Sequence, residues 1–114
     1  MECIFCKIID GEIPSNRVYE DEEVLAFRDA QPQAPEHVLI VPKRHIASLD
    51  EVGETDADKQ LLGHLVAKVG QIAKMLGLEN GYRLVCNCGE EGQQTVRHLH
   101  FHLLGGRQMT WPPG

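Results

Sequence analysis

Val96-Arg97-His98-Leu99-His100-Phe101-His102-Leu103-Leu104 is the stretch on which the fold of this chain turns. Successive side chains of a strand point to opposite faces. A strand from about Val96 to Leu104 therefore puts three imidazoles on one face and Leu99, Phe101 and Leu103 on the other. The apolar face calls for a helix to bury it, and the sequence holds one long enough. Leu62, Leu65, Val66, Val69, Ile72, Ala73 and Leu76 fall on one helical face. Thr55 with Asp56 and Asp58 supplies an N-cap and first-turn acids, and Gly77 is a natural residue just past the helix end.

Outward from this pair, the remaining elements are short. Tyr82 to Asn87 reads as a strand entered from the Asn80-Gly81 turn, and Gly89 to Gln94 as a polar loop leading to the histidines. His37 to Val41 reads as a central strand stopped by Pro42. Arg17–Glu20 and Val24–Arg28 form a predicted hairpin across the acidic turn Asp21-Glu22-Glu23. Gln31 to Pro35 is a loop, because two prolines remove backbone donors within four residues. Ile4, Phe5, Ile8 and Ile9 recur at helical spacing and are ended by Asp10-Gly11, giving a short opening helix. About five strands, one long helix and one short helix make an α+β domain with a mainly antiparallel sheet, spanning residues 1–114 as one domain.

Composition narrows the function. Eleven Lys and Arg stand against 17 Asp and Glu, for a formal charge of −6. A surface built to neutralise many phosphates of extended nucleic acid has the opposite sign, whereas a small phosphorylated ligand needs only a local site. The longest aliphatic run, Val38 to Val41, is far short of the ~20 residues that cross a bilayer, and Met1-Glu2-Cys3 does not open a secretory signal. The expectation is a soluble, cytoplasmic protein without a membrane partner. In a reducing compartment its four cysteines read as metal ligands, redox groups or buried thiols rather than disulfides. Cys3-x-x-Cys6 has ligand-type spacing, and Cys86 and Cys88 read as structural.

Three histidines in register carry chemistry. One metal cannot use all three, because Cβ atoms at i and i+4 of a strand lie ~13 Å apart while zinc needs ligand atoms at ~2.0–2.3 Å. Nucleophilic or acid–base chemistry fits better. Flanking imidazoles disfavour each other's protonation, which keeps the central ring neutral near pH 7 and nucleophilic towards phosphorus. Gly92, Gln93, Gln94 and Thr95, just before the strand, bring backbone N–H groups and a hydroxyl towards the same face. Asn87, ending the preceding strand, adds an amide.

His98-Leu99-His100-Phe101-His102-Leu103-Leu104 resembles the His-φ-His-φ-His-φ-φ motif (φ apolar) of the histidine triad superfamily of nucleotidyl hydrolases and transferases. Ile4 to Ile9 with Glu12-Ile13-Pro14, Ala26 to Asp29, Pro32 to His37, Pro42 to His45, Gly81-Tyr82-Arg83, Leu104 to Met109 and Trp111-Pro112-Pro113-Gly114 resemble its Hint branch, the purine nucleoside phosphoramidases. The resemblance runs nearly end to end. It implies the histidine triad fold, a homodimer whose two sheets join into one, and binding of purine nucleoside monophosphates. The implied reaction is hydrolysis of purine nucleoside 5′-phosphoramidates, such as AMP-lysine, without an organic cofactor.

Carried over by position, the resemblance makes His100 the nucleophile towards the α-phosphorus, with His98 and His102 in support. Thr95 would bond the leaving group or phosphate. Asn87, Gln93 and Gln94 belong to the nucleotide site, and Asp29 accepts from the ribose hydroxyls. Phe5, Ile8, Phe27 and Ala30 wall the base pocket, His45 stands at its edge, and Trp111 reaches the partner's site. Gln93 departs from the pattern, standing where relatives often have a second glycine; if that position needs φ > 0, glutamine is costly there. Cys3 and Cys6 imply a structural zinc completed by His45 and His98, as in several bacterial relatives. Dinucleoside polyphosphate hydrolysis is the alternative within the superfamily. A nucleotide-binding regulatory module and a purely zinc-binding structural protein are the readings outside it.

Overall fold

A computed structural model describes residues 3–114. The elements run α1 (Ile4–Ile9), β1 (Arg17–Glu20), β2 (Val24–Arg28), β3 (Glu36–Pro42), a 3₁₀ turn (Leu49–Glu51), α2 (Asp56–Met75), β4 (Tyr82–Val85) and β5 (Phe101–Gly105). The five strands form one sheet in the order β1-β2-β3-β5-β4, and every neighbouring pair is antiparallel. Among the described residues, no helix is long and apolar enough to cross a membrane.

The period-two alternation of the central strands divides the core. Val24, Ala26, Val38, Ile40, Phe101 and Leu103 bury against Leu65, Val69, Ile72 and Ala73 of α2. Leu25, Phe27, Leu39 and Val41 face the other way and pack with Phe5 and Ile8 of α1. One sheet therefore carries a long helix on one face and a single short helix on the other. Thr55 caps α2 as predicted, its hydroxyl accepting from the Asp58 N–H, and Gly77 leaves the helix at φ 75°. The buried stripe of α2 includes Leu61, whereas Val66, read as core, is half exposed because it lies at the edge of that stripe.

The last strand differs from its predicted span. Ladder pairing starts at Phe101, not Val96, and ends at Gly105. Upstream, the Leu99 N–H donates to Ile46 O at 2.6 Å and the His98 ring bonds Pro42 O at 2.8 Å. These bonds draw the segment onto the chain leaving β3 and off the sheet ladder. The alternation survives nonetheless, because Leu99, Phe101 and Leu103 all enter the α2-side core. The opposite, histidine-bearing face is not left open, since Phe5 of α1 lies edge-on against His98 and His100, at ring-centroid distances of 6.0 and 5.0 Å. β4 likewise stops at Val85, two residues before the predicted end.

Candidate active site and metal centre

The face beneath α1 opens into a cavity of about 830 Å³, within the size range of small-molecule sites. Phe5, Ile8, Phe27, Asp29, Ala30, Thr95, His100 and His102 all line it, so eight of the predicted site residues meet in one place. Its apolar end is built by Phe5 and Phe27, packed edge to face at 5.6 Å, with Ile8 and Leu39. Its polar end carries the two histidines.

The directions of the hydrogen bonds fix what those histidines offer. His100 Nδ1 lies 2.7 Å from His98 O. A carbonyl oxygen only accepts, so Nδ1 holds the proton and the neutral ring keeps its lone pair on Nε2. His100 is 5% exposed, and its Nε2 has no hydrogen-bond partner among the described residues. Ser15 Oγ is the one buried side-chain nitrogen or oxygen left unpartnered among the described residues. The His100 Nε2 lone pair is therefore not sealed in the core but opens to the cavity. Beside it stands His102, with ring centroids 5.1 Å apart. Burial, then the neighbouring His100 and His37, pushes the His102 pKa down to about 4, so this ring is neutral at physiological pH.

His98 turns away from the cavity. Its Nε2–H donates to Pro42 O, which leaves Nδ1 bare, 3.4 Å from Cys3 Sγ, 3.6 Å from Cys6 Sγ and 3.1 Å from His45 Nδ1. Cys6 Sγ lies 3.4 Å from His45 Nδ1. These four residues offer one ligand atom each, all within 4.8 Å of one another. A zinc tetrahedron with bonds of ~2.0–2.3 Å has N···N edges of ~3.3 Å and N···S edges of ~3.6 Å, so the group already approximates the coordination polyhedron. The outer bond to Pro42 O is the kind that orients a ligating histidine. Burial, followed by Cys3, pushes the Cys6 thiol up to about 11. A divalent cation would replace that proton and hold the thiolate. The residues fit a zinc ion, and bound zinc would supply a cross-link between the start of α1 and the segments following β3 and preceding β5.

The remaining predicted residues sit outside the cavity lining. Asn87 Nδ2 donates to Gly92 O at 2.7 Å, closing the loop before the histidines. Gln94 braces the same loop, accepting from the Gly89 N–H and donating to Ala47 O and Val96 O. Gln93 is solvent-exposed and has φ 63°, the only positive value among the described non-glycine residues. His45 belongs to the metal cluster, and Trp111 is 80% exposed.

Residues that the sequence reading did not single out also belong to the site. Leu39 and Ser15 line the cavity. His37, 5% exposed, has its Nε2 2.9 Å from His102 Nδ1. Its signal was available. Alternation along β3 puts His37 on the same face as Leu39, which pairs directly with His102.

Residues 2–111 match the family described as the scavenger mRNA decapping enzyme C-terminal binding domain. The chain belongs to the histidine triad (HIT) superfamily. A HIT family hydrolase from Legionella pneumophila superposes with a TM-score of 0.93 at 54% identity, covering 99% of this chain and 100% of that one. A histidine triad nucleotide-binding protein from Candida albicans gives a TM-score of 0.82 at 36% identity, over 99% and 85% of the two chains. A 14 kDa zinc-binding protein of Zea mays is 54% identical over 111 residues, 97% of this chain and 87% of that one.

Proposed function

We propose that the protein is a hydrolase of purine nucleoside 5′-phosphoramidates, releasing the nucleoside monophosphate and an amine through a nucleotidyl-His100 intermediate. The observation that carries this reading is the His100 Nδ1–H bond to His98 O, which leaves the lone pair of a neutral ring on the opposite nitrogen, at the cavity. The relatives support it at a coarser level, one being named a hydrolase and another a nucleotide-binding protein.

In this mechanism the base enters between Phe5, Ile8 and Phe27, and the Asp29 carboxylate accepts from the ribose hydroxyls. The α-phosphoryl group then reaches His100 and His102. His100 Nε2 attacks phosphorus, forming an N–P bond as the bond to the leaving nitrogen breaks; a proton drawn from solvent lets that nitrogen depart as an amine, and hydrolysis of the intermediate returns one proton to solvent. The Thr95 hydroxyl, at the same rim of the cavity, bonds the leaving group or a phosphoryl oxygen. Water cleaves the nucleotidyl-imidazole in the second step and restores neutral His100. Zinc in the Cys3, Cys6, His45 and His98 set would act structurally, holding the residue whose carbonyl orients His100.

A homodimer accompanies this reading. β4 is a sheet edge, and β1, at the other edge, is blunted by the Arg17–Glu20 and Lys43–Glu20 ion pairs. Joining two β4 edges would make one continuous sheet and bring the exposed Trp111 towards the partner's cavity. The test is AMP release from adenosine 5′-phosphoramidate by the wild type and by His100→Ala. Turnover by the former alone is expected. Bound AMP without turnover in either protein would discard the phosphoramidase reading in favour of a polyphosphate substrate or a binding module.

A further inference from the structure

A second cavity, of about 370 Å³, adjoins the catalytic one and is lined by Cys3 and His45 of the metal cluster and by Arg97. Ile4, Thr95 and Val96 line both cavities, so the two share a rim. Neither His100 nor His102 lines the second.

Arg97 is the one residue of fixed charge in that lining, and no carboxylate opposes it there. The other arginines of the chain are occupied. Arg17, Arg28 and Arg44 pair with Glu20, Glu36 and Asp58, while Arg83 and Arg107 donate to backbone carbonyls. Arg97 alone among them is solvent-exposed with no hydrogen bond or ion pair to any described residue. In a chain of net charge −6, an unpaired guanidinium beside a reaction site is a local attraction for an anion. Its planar fork matches a carboxylate. Arg28 lines the catalytic cavity but is already engaged, because both carboxylate oxygens of Glu36 accept from it.

The direction of displacement sets where the rest of a substrate lies. With the base between Phe5 and Phe27 and in-line attack by His100 Nε2, the leaving nitrogen departs on the side of phosphorus away from His100. Thr95 stands at the shared rim, and the Cα atoms of Thr95 and Arg97, two residues apart along the chain, are at most ~7 Å apart. A chain attached to the leaving nitrogen and passing Thr95 enters the second cavity beside Arg97.

We infer that this second cavity is the leaving-group subsite and that Arg97 binds a carboxylate there, so that the favoured substrates are nucleoside phosphoramidates of amino acids with a free acid group. The inference rests on the proposed phosphoramidase reading for the identity of the leaving atom, and extends it to the chemistry of the amine. Arg97 touches the departing part of the substrate and takes no part in the bond changes at phosphorus. Ile4 and Val96 give apolar contact to the carbons between nitrogen and carboxylate.

The test compares the adenosine 5′-phosphoramidates of β-alanine and of β-alaninamide on the metal-replete protein. The two differ in the charge at the end of the leaving group, and their difference in amine basicity is the same for every variant. The acid-to-amide ratio of kcat/KM should fall about fivefold from wild type to Arg97→Gln, the upper range of an exposed guanidinium–carboxylate pair, and further in Arg97→Glu. The wild-type ratio should shrink as salt is raised. The amide substrate, measured on the same preparation, corrects for any general loss of structure. Calorimetric affinities of both compounds for His100→Ala and for His100→Ala/Arg97→Gln give the same comparison without turnover. A ratio unchanged in both Arg97 variants would overturn the inference. So would a loss in Arg97→Gln seen with diadenosine polyphosphates but not with the β-alanine conjugate, which would give Arg97 a phosphate to bind. If the wild type releases no AMP from unsubstituted adenosine 5′-phosphoramidate, the hydrolase reading fails, and the affinity ratio alone decides the subsite.

Discussion

Five histidines meet at or beside the site, and for four of them the partner of one ring nitrogen fixes which nitrogen carries the lone pair. A carbonyl at Nδ1 leaves the neutral His100 ring its lone pair on Nε2, towards the cavity, and a carbonyl at Nε2 leaves that of His98 on Nδ1, towards the two cysteines. A backbone donor at Nδ1 makes His37 a donor to His102. None of this is visible in the spacing of the triad, which gives the face of each ring but not its tautomer. The three imidazoles were legible as one face, yet their division between the cavity and the Cys3-Cys6 pair arises only where the chain leaves the ladder before Phe101. Burial of these rings has a thermodynamic consequence. His102 has a folded pKa of about 4 against a reference of 6.5, so between those values the unfolded chain binds the extra proton. Stability should therefore fall as pH drops from about 6.5 towards 4 and gain nothing from this ring above 6.5. Asp21 acts in the same direction. Hydrogen bonds from Tyr19, His64 and the Glu23 and Val24 N–H groups outweigh its burial and hold its pKa far below the usual carboxylate value, so its stabilisation is lost only in stronger acid, below pH 3.8. The urea midpoint measured at pH 7 and at 4.5 should show a clear drop, and His102→Asn should shrink it. An equal drop in that variant would mean the ring titrates alike in both states.

At the scale of elements, the sequence patterns located the helices and the hairpin well because each carries its own local signal. Val24–Arg28, the Thr55 cap and Gly77 stand where periodicity and capping put them. The loop from Gly89 to Thr95 was readable only as a polar loop, since its shape depends on bonds to distant backbone, notably Gln94 to Ala47 O. Within it, Gly92 is required by space: a Cβ there would collide with the backbone of Cys88. Gln93 is required by neither space nor conformation. At φ 63° it occupies a region that side-chain-bearing residues enter at a cost of ~1–3 kcal/mol. Gln93→Gly should stabilise the protein by roughly 0.5–1 kcal/mol once the larger unfolded-state entropy of glycine is set against that relief. Thermal or urea unfolding measures it. A destabilised Gln93→Gly would mean that the glutamine side chain makes a contact that outweighs its backbone strain.

The whole molecule is a sheet with unequal coverings: twenty-residue α2 on one face and six-residue α1 on the other. The thin side leaves room for a ligand, and the thick side supplies the stability that lets the thin side stay open. This asymmetry was legible in outline, because one long and one short amphipathic pattern flank strands that alternate. What the sequence could not place was the cavity itself, formed where β2, β3, β5 and α1 converge from distant parts of the chain. The free β4 edge sets a further expectation at this scale. Light scattering should give twice the mass of the chain, and lysine at Val85 on that edge should shift it towards monomer. A monomeric wild type would remove the continuous-sheet dimer. Covalent transfer through His100 is open to mass spectrometry after rapid quenching of adenosine 5′-phosphoramidate turnover. A transient adenylyl adduct is expected on the peptide containing His100 and should be absent in His100→Ala. Turnover with no adduct at any time, or with the adduct on another residue, would contradict it.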